Sequence, residues 1–385
     1  MTSRERVAAA MRRETPDRVP FMCQLAIGHY LLHLDVRPAD LWLHNETVAD
    51  AYVALARRYG MDGILINLPG RDPEIDQRVE RIEQRPNGDE VVWFKDWPTP
   101  LTCPAANLPH HPEQAAVALD DLDPKGCFYE DPHTLGGLKL PFHYDLGGST
   151  AADPSVFPAH VTAIIDLVRQ KVGDELAVHG EVFSPFTQLM ERLGYEQGLM
   201  ALLDQPERCR ALLARFAEGA GALGQLQAAH GVDAVLISSA FAGGGFISQA
   251  MYEEFVLPFE ARVVELVHQA GVPVYTHTCG HIGDRLELMA ATGIDGIDTM
   301  DPPPLGNTDL ADAKARVGGE LFLKGNLDSV NILLNGQPAQ VTAAAERAVA
   351  AAGPGGYILS SACSVAPAVP AENVLAMGEV ATRGV

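Results

Sequence analysis

The sequence predicts an α/β protein of the (β/α)8, or TIM-barrel, class, with a long loop-rich excursion over the C-terminal mouth of the barrel. Three observations carry this expectation. Eight short β-rich runs alternate with segments of helical period. The chain has 385 residues, more than an ordinary domain but a common size for one α/β barrel. Polar residues gather at the C-terminal ends of the runs, where barrels of this class carry their chemistry.

Taken in order, the first run, 19–23, follows the charged and small residues of 1–13 and ends before Gln24. The second, 63–67, ends at Asn67 and follows the helix-period segment 46–58, which Asn45 introduces as a start signal. The third, 176–182, contains Glu181 and follows 159–172. The fourth, 234–238, ends at Ser238-Ser239 and follows 207–229, introduced by Pro206. The fifth, 272–276, follows 250–270 and leads into His277-Thr278-Cys279. The sixth, 296–299, follows 285–292, contains Asp298 and leads to Asp301. The seventh, 321–324, follows 310–317 and leads to Asn326 and Asp328. The eighth, 357–360, follows 341–352 and leads to Cys363.

One stretch breaks the alternation. Residues 72–158 are rich in Pro and Gly, lack helical period, and hold an aromatic cluster of Phe128, Tyr129, Phe142, His143 and Tyr144. A loop of this length inside a compact domain calls for a function or an ordered fold of its own. The expectation is an ordered excursion with a hairpin at Asn87-Gly88, folded over the barrel mouth, within a single domain spanning 1–385.

Composition narrows the function. With 47% apolar residues and no low-complexity tract the chain is globular. A net charge of −22 repels phosphates, which argues against nucleic acid or an anionic membrane as partner. Six cysteines, at 23, 103, 127, 209, 279 and 363, are too sparse for a secreted disulfide framework. No signal-like or membrane-spanning run is present, so a soluble, cytoplasmic protein is expected.

His277 and Cys279 lie two apart on an extended segment, so their side chains point the same way. Cys363 lies at the end of another run, and a barrel would bring the two ends to one face. One imidazole and two thiolates leave a tetrahedral zinc with an open fourth position, the mark of a catalytic rather than a structural site. The competing reading is plain packing, since cysteine is often buried, and packing is what we expect of Cys103, Cys127 and Cys209. Other motifs carry less. Gly243-Gly244-Gly245 lacks the lysine and helix start of a phosphate loop, and His110-His111 reads as a solvated pair. No Gly-x-Ser-x-Gly, His-Glu-x-x-His or Cys-x-x-Cys occurs.

Arg4-Glu5-Arg6-Val7, Pro16-Asp17-Arg18-Val19-Pro20, Phe255-Val256-Leu257-Pro258, Gly271-Val272-Pro273-Val274, His277-Thr278-Cys279-Gly280, Gly293-Ile294-Asp295-Gly296, Lys324-Gly325-Asn326-Leu327-Asp328 and Pro370-Ala371-Glu372-Asn373-Val374 together resemble the uroporphyrinogen decarboxylase superfamily. The resemblance runs nearly end to end, is weakest across 72–158, and itself implies a (β/α)8 barrel. Its decarboxylase branch carries arginines after the first strand and an aspartate after the second. Here Met22 to Gly28 contains no arginine, and Asn67 stands in Ile66-Asn67-Leu68-Pro69. Porphyrinogen decarboxylation is therefore disfavoured.

The second branch, of the coenzyme M methyltransferase and O-demethylase type, is marked by His-x-Cys and a distant Cys, matched at His277, Cys279 and Cys363. That resemblance implies a zinc-dependent methyltransferase moving a methyl group between a small molecule and the cobalt of a corrinoid (cobalamin) protein. Glu181 and Asp301 are the candidates for a fourth ligand or a supporting partner. Met22, Gln24, Asn67, Phe183, Ser239, Phe241, Met300 and Asn326 are the candidates for the substrate or corrinoid pocket. The aromatic residues lean toward O-demethylation of a methyl ether such as a methoxylated aromatic. The alternatives are methylation of a thiol or of tetrahydrofolate, decarboxylation, and a non-catalytic zinc or tetrapyrrole-binding protein. Asp131-Pro132-His133-Thr134-Leu135-Gly136 fits the pattern by which corrinoid domains ligate cobalt through histidine, but it lacks the preceding strand and domain. The corrinoid is expected on a separate partner protein, and a homodimer is a candidate assembly.

Overall fold

A computed structural model describes residues 1–110, 117–129 and 153–383. Seven parallel strands form one curled sheet: β1 (Gly63–Ile66), β5 (Ala177–Phe183), β6 (Ala234–Ser238), β7 (Val274–Thr278), β8 (Gly296–Thr299), β9 (Phe322–Leu327) and β10 (Tyr357–Ser361), adjacent in that order. Seven of the eight expected runs are thus strands, within two or three residues of the expected ends. His277 and Thr278 close β7 instead of following it.

The first run differs. It makes single parallel bridges, Phe21 to Leu359 and Leu25 to Val365, and no continuous ladder. The reason is local. Pro20 has no N–H to give, and the Phe21 N–H is taken by the Asp62 carboxylate at 2.9 Å, while the Asp62 N–H donates to Phe21 O at 2.7 Å. Asp62, fully buried, also accepts from Arg6 and Arg18, so a charged hub replaces strand pairing between this run and β1.

Two apolar cores follow from the curl. Inside the sheet Met22, Leu65, Ala234, Leu236, Tyr275, Phe322 and Ile358 pack with Val7, Ala10 and Met11 of the N-terminal helix Ser3–Met11. That helix, begun by a Thr2/Glu5 capping box, fills the N-terminal end of the sheet. The second, larger core lies between the sheet and the outer helices.

Helices follow the expected segments with two physical differences. The segment 250–270 splits into Gln249–Phe255 and Leu257–His268, because Pro258 cannot donate to the preceding turn. The segment 159–172 begins as a 3-10 turn, Ala159–Thr162, before Ala163–Val172. Helices at Pro185–Leu193, Tyr195–Asp204 and Ala371–Thr382, like the N-terminal one, add to those expected.

The expected hairpin exists. β2 (Val79–Gln84) pairs antiparallel with β3 (Glu90–Phe94), and β3 with β4 (Leu101–Cys103). Gly88 takes the turn position of positive φ, +89°. Among the described residues no helix is long and apolar enough to cross a membrane.

Candidate metal centre

β7 and β10 are separated in the sheet by β8 and β9, yet their C-terminal ends converge because the sheet curls. The Cys279 Sγ lies 3.4 Å from His277 Nε2 and 3.7 Å from Cys363 Sγ, and Cys363 Sγ lies 4.0 Å from His277 Nε2. Among the described residues this is the one cluster of three or more ligand atoms within 4.8 Å of one another. His277 is buried and the two cysteines are half-buried, so the cluster opens toward the mouth.

The backbone around each cysteine of the cluster is fixed. Cys279 is followed by Gly280 at φ +76°, a conformation that costs any other residue, and the Gly280 N–H donates to Asp301 Oδ2 at 2.7 Å. The loop after β6 rests on the same turn, for a Cβ on Gly243 would meet Cys279 O at 2.5 Å. Cys363 is held by Ser329, whose Oγ accepts from Cys363 N at 2.9 Å. Ser329 in turn follows Asp328, which caps the Ser329–Leu334 turn.

Behind His277 lies a row of charge. His277 Nδ1 faces Asp298 Oδ2 at 3.7 Å, longer than a hydrogen bond. Asp298 Oδ1 accepts from Thr299 N at 2.8 Å and Oδ2 from Lys324 Nζ at 2.7 Å, with both charged side chains almost wholly buried.

The protons follow these contacts. The hydrogen bond from Cys279, helped by His277 and opposed by burial, holds the Cys363 thiol well below its ordinary value. That same bond to Cys363, with burial, pushes Cys279 up. Burial works against the His277 cation, but Asp298 and Cys363 together raise the group to about 10. Asp298 is lowered to about 2 despite its burial, chiefly by Lys324. Burial raises Asp301 to about 6, the Gly280 N–H opposing and Cys363 adding to the rise.

The other expected site residues divide. Neither Glu181 nor Asp301 joins the donor cluster; Asp301 serves the Gly280 turn, and Glu181 is buried on β5. Met22 belongs to the inner core beside the N-terminal helix, away from the mouth. Ser239 is fully buried and donates its Oγ to Glu260 at 2.5 Å, so it turns behind the strand. Met300 is also fully buried.

Asn67 Oδ1 accepts from Tyr52 OH at 2.5 Å, and Gln24 Oε1 is a buried acceptor with no hydrogen bond among the described residues. Asn326 donates to Met300 O and borders a cavity of ≈ 640 Å³ shared with Thr308 and Asp328. Phe183 and Phe241 are half-buried at the strand ends. The Phe183 N–H donates to Tyr129 OH, and Phe241 packs 4.7 Å from Tyr195 and edge-on to Phe246. Phe128 and Tyr129 are buried against Phe157. Cys103, Cys127 and Cys209 are buried, as expected of packing residues.

Phe142, His143, Tyr144, His111 and the Asp131 to Gly136 pattern lie outside the described residues. The Lys324 to Asp298 pair and Glu260 were not expected from the sequence. A buried lysine at a strand end was the available signal for the first.

The family model described as uroporphyrinogen decarboxylase (URO-D) matches residues 150–383. A uroporphyrinogen decarboxylase from Alkalilimnicola ehrlichii is 32% identical over 97% of this chain and 92% of its own length. The methylcobamide:CoM methyltransferase MtbA of Methanosarcina acetivorans is 29% identical over 56% of this chain. Part of each of two relatives is matched, 61% of that methyltransferase and 63% of the uroporphyrinogen decarboxylase of Gloeobacter violaceus. Among solved structures, a methyltransferase from Methanosarcina mazei superposes with a TM-score of 0.70, covering 99% of this chain and 98% of its own at 18% identity, which establishes likeness of fold.

Proposed function

The chain belongs to the uroporphyrinogen decarboxylase family, and from that premise we propose that it is a zinc-dependent methyltransferase working between a small molecule and the cobalt of a separate corrinoid protein. The observation that carries this reading is the spacing of three donor atoms. A tetrahedral zinc with Zn–S bonds of about 2.3 Å and Zn–N bonds of about 2.0 Å sets its donors about 3.8 Å apart for sulfur pairs and about 3.5 Å for sulfur and nitrogen. The observed 3.7, 3.4 and 4.0 Å fit that frame.

His277, Cys279 and Cys363 would hold the metal. Zinc bound there supplies Lewis acidity at an open position, to the heteroatom that gives or takes the methyl group. The chain's residues do the rest. Cys363, stabilised as a thiolate by its neighbours, is a ready ligand. Ser329 and the Gly280 to Asp301 bond fix the two cysteine backbones, so the donors need little rearrangement. The loop after β6 packs its Gly243 against the Cys279 backbone and so braces the turn. Phe183 and Phe241, with Tyr195 and Phe246, supply apolar surface at the mouth, which favours a methyl ether such as a methoxylated aromatic as donor. Methylation of a thiol or of tetrahydrofolate uses the same ligands and is the alternative. The relatedness to a methylcobamide:CoM methyltransferase supports a corrinoid protein as partner.

Decarboxylation fits less well. Met22 is core, and Asn67, where the decarboxylase branch is marked by an aspartate, is engaged by Tyr52. We read 1–385 as one domain in which 19–25 stands in the eighth barrel position; of the expected excursion at 72–158, residues 111–116 and 130–152 lie outside the described residues.

Metal analysis tests the premise: wild type is expected to carry about one zinc per chain and Cys363→Ser to lose most of it. Equal zinc in both proteins would remove the reading.

A further inference from the structure

His277, Asp298 and Lys324 are direct neighbours across three strands. In the register of β7 with β8, His277 stands opposite Asp298, and in that of β8 with β9, Asp298 stands opposite Lys324. Side chains opposite one another in a sheet share a face, and all three point inward, buried. A lysine and an aspartate placed in an apolar interior are costly unless they are paired, and breaking such a pair leaves a buried charge. Their presence behind one imidazole therefore asks for a purpose.

The contacts supply one. Asp298 Oδ1 is fixed by Thr299 N and Oδ2 by Lys324 Nζ, so the carboxylate has no freedom to turn away. Its Oδ2 faces His277 Nδ1, a buried nitrogen without a hydrogen bond of its own. A carboxylate on that side favours the proton on Nδ1 and leaves Nε2, which faces the sulfur atoms, as the nitrogen available to a metal.

We propose that Asp298 and Lys324 are the positioning residues of the metal centre: Asp298 sets the tautomer and tilt of His277, and Lys324 locks Asp298 in place. The inference rests on the reading of His277, Cys279 and Cys363 as zinc ligands.

The test measures zinc affinity by competition with a chromophoric chelator, and the visible absorption of the cobalt(II)-substituted protein, which reports ligand geometry. The variants are Asp298→Leu/Lys324→Met, which removes both charges and keeps the interior apolar, and Lys324→Arg, which keeps the charge. Circular dichroism and thermal unfolding establish that each is folded. The double variant is expected to bind zinc roughly 10- to 100-fold more weakly with altered cobalt bands, and Lys324→Arg to retain most of the affinity and the wild-type bands. A folded double variant with wild-type affinity and spectrum overturns the proposal. If the double variant does not fold, a folded Lys324→Arg whose affinity and bands match wild type supports it, and one that falls as far as 100-fold overturns it. Failure of the parent reading is separate: wild type would then bind zinc no better than Cys363→Ser.

Discussion

Glu260 carries a proton that the fold prefers to keep. It is buried in the helix Leu257–His268, accepts from Ser239 Oγ, and burial raises it from 4.5 to about 7. Because the folded value lies above the unfolded one, the stability it contributes is present in full below pH 4.5 and is lost as pH rises toward 7. Wild type should therefore lose about 3 kcal/mol relative to Glu260→Gln across that interval, at about 1.4 kcal/mol per unit. Chemical unfolding of both proteins at the two ends of the interval measures it, and parallel stability curves would contradict it. The cluster of His277, Cys279 and Cys363 was legible in the sequence because two of its members lie two apart at one strand end and the third follows another. Asp298 was legible as a polar residue at a strand end, but Lys324 was not singled out, and neither was legible as a partner of His277, since that depends on register across three strands. Ser239 was misplaced because period-2 alternation does not say which face of a strand end looks inward.

Elements bring these residues together through close backbone approach. The loop after β6 lies against the Cys279 turn only because Gly243 has no side chain. Gly243→Ala should displace that turn, cost about 1–3 kcal/mol of stability, and weaken zinc binding; chelator competition and thermal unfolding measure both. Unchanged zinc affinity would mean the loop is not part of the centre. Asp62 has a similar role at the opposite end, joining Arg6, Arg18 and the Phe21 N–H. Asp62→Ala leaves Arg18 without its carboxylate partner, while Arg6 keeps Asp17, and should cost about 3–5 kcal/mol in an unfolding titration, whereas a loss under 1 kcal/mol would show the hub to be dispensable. Seven strands were legible from short apolar runs bounded by turn residues. The eighth run read equally well as a strand, since nothing local reveals that a buried aspartate forty residues on takes the place of its ladder. The helix break at Val256 was legible in Pro258 but masked by a continuous apolar period.

At the scale of the molecule, the curled sheet gives the protein two ends with different tasks. The N-terminal end is filled by the Ser3–Met11 helix and its arginine and aspartate pairs, and the C-terminal end carries the histidine and two cysteines. A net charge of −22 over such a body favours a partner that presents basic groups, so docking of a corrinoid protein should weaken as salt rises. The central claim is methyl transfer at the His277, Cys279 and Cys363 centre. Its most direct test is to mix the zinc-loaded protein with a reduced corrinoid protein and a panel of aryl methyl ethers, thiol methyl donors and methyltetrahydrofolate, following the cobalt absorption. The account predicts conversion of cob(I)alamin to methylcobalamin with at least one methoxylated donor, abolished in Cys363→Ser. Loss of carbon dioxide from a polycarboxylate by both wild type and Cys363→Ser, with no change at cobalt for any donor, would contradict it.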